Sequence, residues 1–454
     1  MLPNSQSLNT HTESVLLKGG RMINPAKGQD EVCDILIENG LIKEIGQNIP
    51  ENKADKVIPL TPDQWVTPGL VDIHVHFRDP GQSSKETTST GTESAIAGGF
   101  TTVCIMPNTN PVLDDLPTLE YVNQAAERVG KINIHPVCAI SKGLAGEELT
   151  EMGSLFAKGA VGFTDDGHCV MNANLMRLAL QYAKMFDVPV VSHAEDTDLS
   201  GHGAMNEGYY STLLGLKGHP NVAESVIVAR DIELTRNTGG RLHIAHVSTK
   251  ESVALIRQAK AEGLHVTGET APHYLVFTDA NVQGYDPDFK MCPPLRAQTD
   301  QEALIEAILD GTLEAIATDH APHTPDEKSQ EFDKAPNGVI GLETSLAVML
   351  THFVHTGKMT PLTLIDRMST GPARLMKLPA GVLEVGRRAD ITVIDPNETW
   401  TVNPQGLKSK SKNCPFKGML LKGRAKQVFS AGRCLLGETW TPANQQANNL
   451  VTAS

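Results

Sequence analysis

The segment Asp72-Ile73-His74-Val75-His76-Phe77-Arg78 sets a carboxylate, two imidazoles and a guanidinium at alternate positions. On a strand, alternate side chains share a face. Val71, Ile73, Val75 and Phe77 are therefore expected on an apolar face, with Asp72, His74, His76 and Arg78 on the other. Two imidazoles so spaced can grip one metal ion, and an arginine just beyond them can hold a substrate anion. A His-x-His pair alone has little specificity. Its setting adds weight, because Pro68-Gly69-Leu70 reads as entry into a buried element. Four polar side chains in such a place need water or a polar site.

Residues of the same types recur along the chain. Met106-Pro107-Asn108, Thr164-Asp165-Asp166-Gly167, Ser192-His193-Ala194-Glu195, His246-Val247-Ser248 and Thr318-Asp319-His320-Ala321-Pro322-His323 each follow a short apolar run. Imidazole and carboxylate without thiolate suit zinc, manganese or iron, with zinc favoured. His74, His76, His193, His246 and two carboxylates exceed the three or four protein ligands of one catalytic zinc. Two ions sharing a bridging carboxylate fit the set better. Strand alternation groups Gly162 and Thr164 with Asp166, which makes Asp166 the candidate ligand and Asp165 its support.

The elements that must position these groups read as alternating strands and helices. Strand candidates lie at 71–77, 101–106, 132–139, 160–164, 188–192, 242–246, 265–270 and 313–318. Eight such units favour a closed (β/α)8 barrel over an open sheet, and barrel chemistry gathers at the C-terminal strand ends. Every candidate group above falls at such an end. Ser248-Thr249-Lys250-Glu251 reads as a capping box with Ser248 as the cap, opening a helix over 253–261. Short strands with Gly and Asn turns occupy 14–66 and return after 380. One small β-sandwich domain (14–66 plus 380–440) is thus expected beside a barrel domain (67–379), with loose ends at 1–13 and 441–454. The charged, proline-flanked segment 324–336 is a candidate lid.

Bulk properties narrow the function. The 454 residues are 40% hydrophobic and 20% charged, as in a folded globular protein. A net charge of −14 argues against nucleic acid or an anionic membrane as partner. No apolar run approaches a membrane span and the N-terminus lacks a secretory pattern. Seven scattered cysteines without a Cys-x-x-Cys fit reduced thiols, and a cytoplasmic location is expected.

With those residues placed, the chain resembles the bacterial type I dihydroorotases of the amidohydrolase superfamily. The resemblance covers residues 68–81, Ala97-Gly98-Gly99-Phe100-Thr101-Thr102, Met106-Pro107-Asn108-Thr109, Phe163 to Gly167 and Ala317 to His323. Gly341-Leu342-Glu343-Thr344 and Ser409-Lys410-Ser411-Lys412-Asn413 look more particular to dihydroorotases. It implies a distorted barrel and two Zn2+ ions. One would lie between His74, His76, Asp166 and Asp319, the other between Asp166, His193 and His246. It also implies Asp319 as general acid/base, and interconversion of dihydroorotate and N-carbamoyl-aspartate in pyrimidine synthesis. His76, Arg78, Asn108, Cys292, His323, Asn337 and Gly338 would contact this small-molecule substrate. Cys292 stands where relatives commonly carry Asn before Pro-Pro-Leu-Arg, and Asn337 where a bulkier apolar residue is usual. A homodimer and a complex with aspartate transcarbamoylase are compatible with the resemblance. Two rivals share these motifs: a hydantoinase or allantoinase, and a non-catalytic scaffold for aspartate transcarbamoylase.

Overall fold

A computed structural model describes residues 13–437; the expected loose ends lie outside them, apart from Glu13. The first strands are β1 (Val15–Asn24), β2 (Gln29–Glu38), β3 (Leu41–Gly46), β4 (Lys56–Pro59) and β5 (Trp65–Pro68). Barrel strands follow as β6 (Leu70–Val75), β7 (Phe100–Ile105), β8 (Asn133–Cys138), β9 (Gly162–Thr164) and β10 (Val190–Ser192). A small ribbon, β11 (Met205–Asn206) with β12 (Gly218–His219), precedes β13 (Leu242–Ile244), β14 (Val266–Thr270) and β15 (Ala315–Ile316). β16 (Ile391–Thr401), β17 (Leu420–Ser430) and β18 (Arg433–Leu436) return to the first sheet.

That first sheet has eight strands, in the order β18-β17-β16-β5-β1-β2-β3 with β4 beside β1. The second also has eight, all parallel, from β6 through β7, β8, β9, β10, β13 and β14 to β15. Each barrel strand starts and ends within three residues of its sequence expectation. A single bridge, Val75 with His320, closes the barrel, through the His76 N–H to the His320 carbonyl at 2.9 Å.

The chain passes from β5 into β6 across Gly69 alone. A Cβ there would lie 2.0 Å from the Thr101 hydroxyl oxygen, so only glycine permits the close approach. One apolar cluster runs unbroken from Ile23, Trp65, Ile394 and Val428 of the terminal sheet to Leu70, Phe100 and Phe163 of the barrel. The first barrel strand is therefore seated on a rigid neighbour.

The simple alternation expected for 71–77 does not hold. A register shift between Asp72 and Val75 interrupts the pairing with β7. Val71 and Ile73 pack with Cys104, Val137, Ala315 and, from the helix Gly371–Leu375, Ala373 and Leu375. Val75 and Phe77 pack instead with Val103 and Ile105. Asp72 lies at the irregularity, accepting the N–H groups of His74 (3.0 Å) and Thr318 (3.2 Å). Its carboxylate takes backbone donors that a regular ladder would have paired.

The helix Lys250–Ala261 begins one residue later than the capping-box reading implies. Thr249 is the cap, accepting from the Ser252 N–H, while the Ser248 hydroxyl donates to buried Glu224. The Ser248 oxygen in turn accepts from the Arg296 Nε–H at 3.0 Å, so donor and acceptor are both engaged away from the helix N-terminus. Among the described residues all seven cysteines are free, and no helix is long and apolar enough to cross a membrane.

Candidate metal centre and active site

His74 and His76 leave β6, Asp166 follows β9, His193 follows β10, His246 follows β13 and Asp319 follows β15. The barrel brings these six side chains into one buried cluster centred on Asp166. Its Oδ1 lies 3.3 Å from His74 Nε2, 3.5 Å from His246 Nε2 and 3.6 Å from His193 Nδ1. Its Oδ2 is 3.5 Å from His76 Nε2. Asp319 Oδ1 stands 3.1 Å from His76 Nε2 and 3.6 Å from His74 Nε2. Neighbouring Asp165 turns away, accepting the N–H groups of Ile140 and Ser141 at 2.8 and 2.9 Å and pinning the loop after β8.

Backbone conformation marks the same places. Arg78, His246 and Asp319 have φ of 60°, 33° and 47°, left-handed values that non-glycine residues seldom adopt. Each sits where a strand ends and the chain must turn its side chain into the barrel mouth. Such conformations persist only where surrounding structure enforces them.

Neighbours set which imidazole nitrogen faces the cluster. Glu269 Oε1 takes the Nδ1–H of His74 at 2.6 Å, Asn108 Oδ1 takes that of His76 at 2.8 Å, and Glu195 Oε2 takes the Nε2–H of His193 at 3.2 Å. Each contact leaves the opposite nitrogen's lone pair directed at Asp166 or Asp319. Carboxylate or amide backing of this kind is how metal-binding histidines are oriented. His74 Nε2 and Asp166 Oδ1 are buried without a hydrogen-bond partner. Inward lone pairs, unpartnered buried atoms and an oxygen and nitrogen donor set together fit divalent cations.

Electrostatics agree. Burial disfavours protonated His74, yet the charges of Asp166 and Glu269 hold its pKa well above the ordinary imidazole value. Burial alone would raise the Asp166 carboxyl; the charge of His74, with the His193 and His246 imidazoles close by, holds it well below its usual range. The carboxylates thus demand positive charge, which protons supply when no cation is bound. His76 responds oppositely, lowered by burial despite the nearby Asp319 carboxylate.

The substrate candidates divide. A cavity of about 620 Å³ is lined by Arg78, Asn108, Cys292, Asn337 and Gly338, together with His76, Asp166 and Asp319. His323 is hydrogen-bonded to that wall. Its Nε2–H donates to the Asn337 carbonyl at 2.8 Å and its Nδ1 faces Lys85 Nζ at 3.5 Å. Burial, with Arg78 and Lys85 nearby, pushes its pKa down to about 3, so it is neutral. Gly338 has φ of 126°, and a Cβ there would lie 2.7 Å from Ala321 Cβ and 3.1 Å from His323 Nε2. The candidate lid is held down: Lys328 Nζ donates to the Lys290 and Pro336 carbonyls, and Lys290 Nζ to those of Asp333 and Ala335.

Three supporting residues escaped the sequence reading. Glu269 is a lone carboxylate in an otherwise uncharged strand, β14, and that is the signal that would have found it. Glu195 follows His193 by two residues. Asn413, within a motif without an assigned role, accepts from the His323 N–H (3.2 Å) and donates to the carbonyls of Ala321 (3.0 Å) and Gly338 (3.1 Å). It ties both loops of that cavity wall together. Glu269→Gln is expected to weaken cation affinity by about 10–100-fold, read by chelator competition.

Residues 63–252 match the dihydro-orotase-like family profile. A dihydroorotase from Geobacter metallireducens is 51% identical over 420 residues, covering 92% of this chain and 99% of its own. The chain belongs to the dihydroorotase family. A dihydroorotase from Syntrophotalea carbinolica is 50% identical over 92% of this chain and 98% of its own. Among solved structures, the L-hydantoinase (dihydropyrimidinase) of Arthrobacter aurescens superposes with a TM-score of 0.84 at 26% identity, over 95% of this chain and 98% of that one. A D-hydantoinase with a TM-score of 0.82 and 24% identity shares the fold. This chain thus shares its overall fold with hydantoinases.

Proposed function

We propose that this chain interconverts (S)-dihydroorotate and N-carbamoyl-L-aspartate, closing the ring in the direction of pyrimidine synthesis. Arg78 carries the reading. It is a buried guanidinium on the wall of the cation cavity; its Nε–H donates to the Pro322 carbonyl at 3.3 Å, and Asp319, Asp166 and Glu327 act on it by charge without an ion pair within 4 Å among the described residues. Burial pushes its pKa down to about 10, which leaves it charged at neutral pH. A buried charge without a directly paired anion costs several kcal/mol. A substrate carboxylate held by the planar fork supplies the counterion.

His74, His76, Asp166 and Asp319 would hold one cation, and Asp166, His193 and His246 the other, with zinc suited to these donors. Bound there, the cations supply Lewis acidity to the attacking water and to the scissile carbonyl. Asp319 is the proton carrier. Held ionised by the imidazoles of His76, His74 and His246 around it, which outweigh its burial, it accepts the water proton. It then delivers that proton to the departing ring nitrogen, and in ring closure it removes the proton from the carbamoyl nitrogen. Asn108 orients His76 and faces the same cavity, while Cys292, Asn337 and Gly338 form the wall against which the ring lies.

Hydantoinase is the second reading, favoured by the shared fold. Hydantoin has no carboxylate and leaves Arg78 unpaired. Side-by-side assays of dihydroorotate, hydantoin and allantoin separate the two, and turnover of hydantoin alone would overturn the proposal. Arg78→Gln is expected to lower kcat/KM for dihydroorotate by roughly 10²-fold or more, mainly through KM. Any trace hydantoin turnover should be unchanged. Association with aspartate transcarbamoylase is supported by the family resemblance only; the native mass of the mixed proteins tests it.

A further inference from the structure

Beside the six-residue cluster, the same cavity holds a second group of ligand atoms, on His193, Glu195 and Cys292. Glu195 Oε2 lies 3.2 Å from His193 Nε2 and 3.3 Å from Cys292 Sγ, and the three ligand atoms all fall within 4.8 Å of one another. We propose that His193, Glu195 and Cys292 form a third cation site, selective for soft divalent ions, whose occupation inhibits the enzyme.

The spacing suits the chemistry. Tetrahedral coordination with metal–nitrogen and metal–oxygen bonds near 2.1 Å and metal–sulfur near 2.3 Å places neighbouring donors roughly 3.3–3.6 Å apart. The group therefore needs little rearrangement to close on an ion. All three residues line the cavity, and the Glu195 side chain is 19% exposed, so an ion enters without opening the fold. The donor set differs from that of the main cluster by its sulfur. Thiolate prefers soft ions, such as Cd2+ or Zn2+ in excess, over the harder ions that oxygen donors accept. Binding is an exchange without redox change: the ion displaces the Cys292 thiol proton and the His193 Nε2 proton, and both pass to solvent.

Inhibition follows from the shared imidazole. His193 Nδ1 faces Asp166 at 3.6 Å while its Nε2 faces Glu195. An ion on Nε2 replaces the proton through which Glu195 orients the ring. It also places a charge against the wall formed by Cys292, where the substrate ring is expected to lie. The site rests on geometry alone, not on which cyclic amide is turned over.

The test titrates Cd2+ into the full-length enzyme already loaded with Zn2+. Thiolate-to-cadmium charge-transfer absorption and bound cadmium at dialysis equilibrium are measured together with turnover. One further equivalent per chain is expected, with the absorption band and the loss of activity rising together and both reversed by a chelator. Cys292→Asn should abolish the band, and Glu195→Gln should raise half-saturation by about tenfold or more. Cys169 also lines the cavity, so Cys169→Ser serves as the control that keeps the band. A band that survives Cys292→Asn at full amplitude, or that vanishes in Cys169→Ser, overturns the proposal. So does a wild-type titration that yields no additional ion. The band needs no turnover, so its outcome is distinct from that of the substrate assays.

Discussion

Asp319→Asn is expected to retain its cations and lose turnover, with kcat lower by roughly 10²–10⁴-fold. The carboxamide keeps an oxygen beside His74 and His76, so a ligand remains, but it cannot take up the proton of the attacking water. Strain does not confound the comparison. Asp319 has φ of 47°, and asparagine is among the residues that tolerate the left-handed region best. Nor does size, since the two side chains are nearly isosteric. Elemental analysis and kcat on the same preparation make the check. Near-normal kcat with full cation content would remove Asp319 from its role as base.

Asp166→Ala should behave differently, losing cations and activity together. Asp166 is the one side chain in the cluster that faces His74, His76, His193 and His246 at once, at 3.3–3.6 Å. Removing it takes a ligand from both candidate positions and leaves buried imidazoles without their counter-charge. Cation content is expected to fall to one per chain or fewer. Charge stabilisation by the ions is worth several kcal/mol, so turnover should drop by roughly 10³-fold or more. The same charge balance makes cation loading release protons. Despite burial, His74 and His193 are held well above the ordinary imidazole pKa by Asp166 and other partners, and a cation must displace what they carry. Cation affinity therefore falls as pH falls, and the loss begins at a higher pH than ordinary imidazoles would give. Adding metal to unbuffered apoprotein at neutral pH should acidify the solution, and Asp166→Ala should weaken that response.

Much of the site was legible because its residue types are chemically unusual for their place. Histidines and aspartates following short apolar runs stand out, and a parallel barrel forces such strand ends to converge. The supporting residues were harder to see. Glu269 and Asn413 act through contacts with residues 195 and 90 positions away in the chain, to His74 and to the His323 backbone, and no local pattern encodes such distances. His323 shows a different limit. Its motif places it near Asp319 in sequence, but the orientation of its ring, toward the Asn337 carbonyl and Lys85, is set by tertiary contacts.

The amino-acid order determined by itself the eight βα units, the terminal β-segments and the identity of the inward imidazoles and carboxylates. Periodicity and local chain direction decide those features, and both are properties of neighbours in sequence. Tertiary structure alone decided that Val71 and Ile73 part company with Val75, because the irregularity at Asp72 arises where the last strand closes on the first. It alone decided which nitrogen of His74, His76 and His193 faces Asp166, since that choice belongs to Glu269, Asn108 and Glu195. It also left Arg78 buried without a paired carboxylate within 4 Å among the described residues, and such a gap is visible only once the partners have taken their places in space.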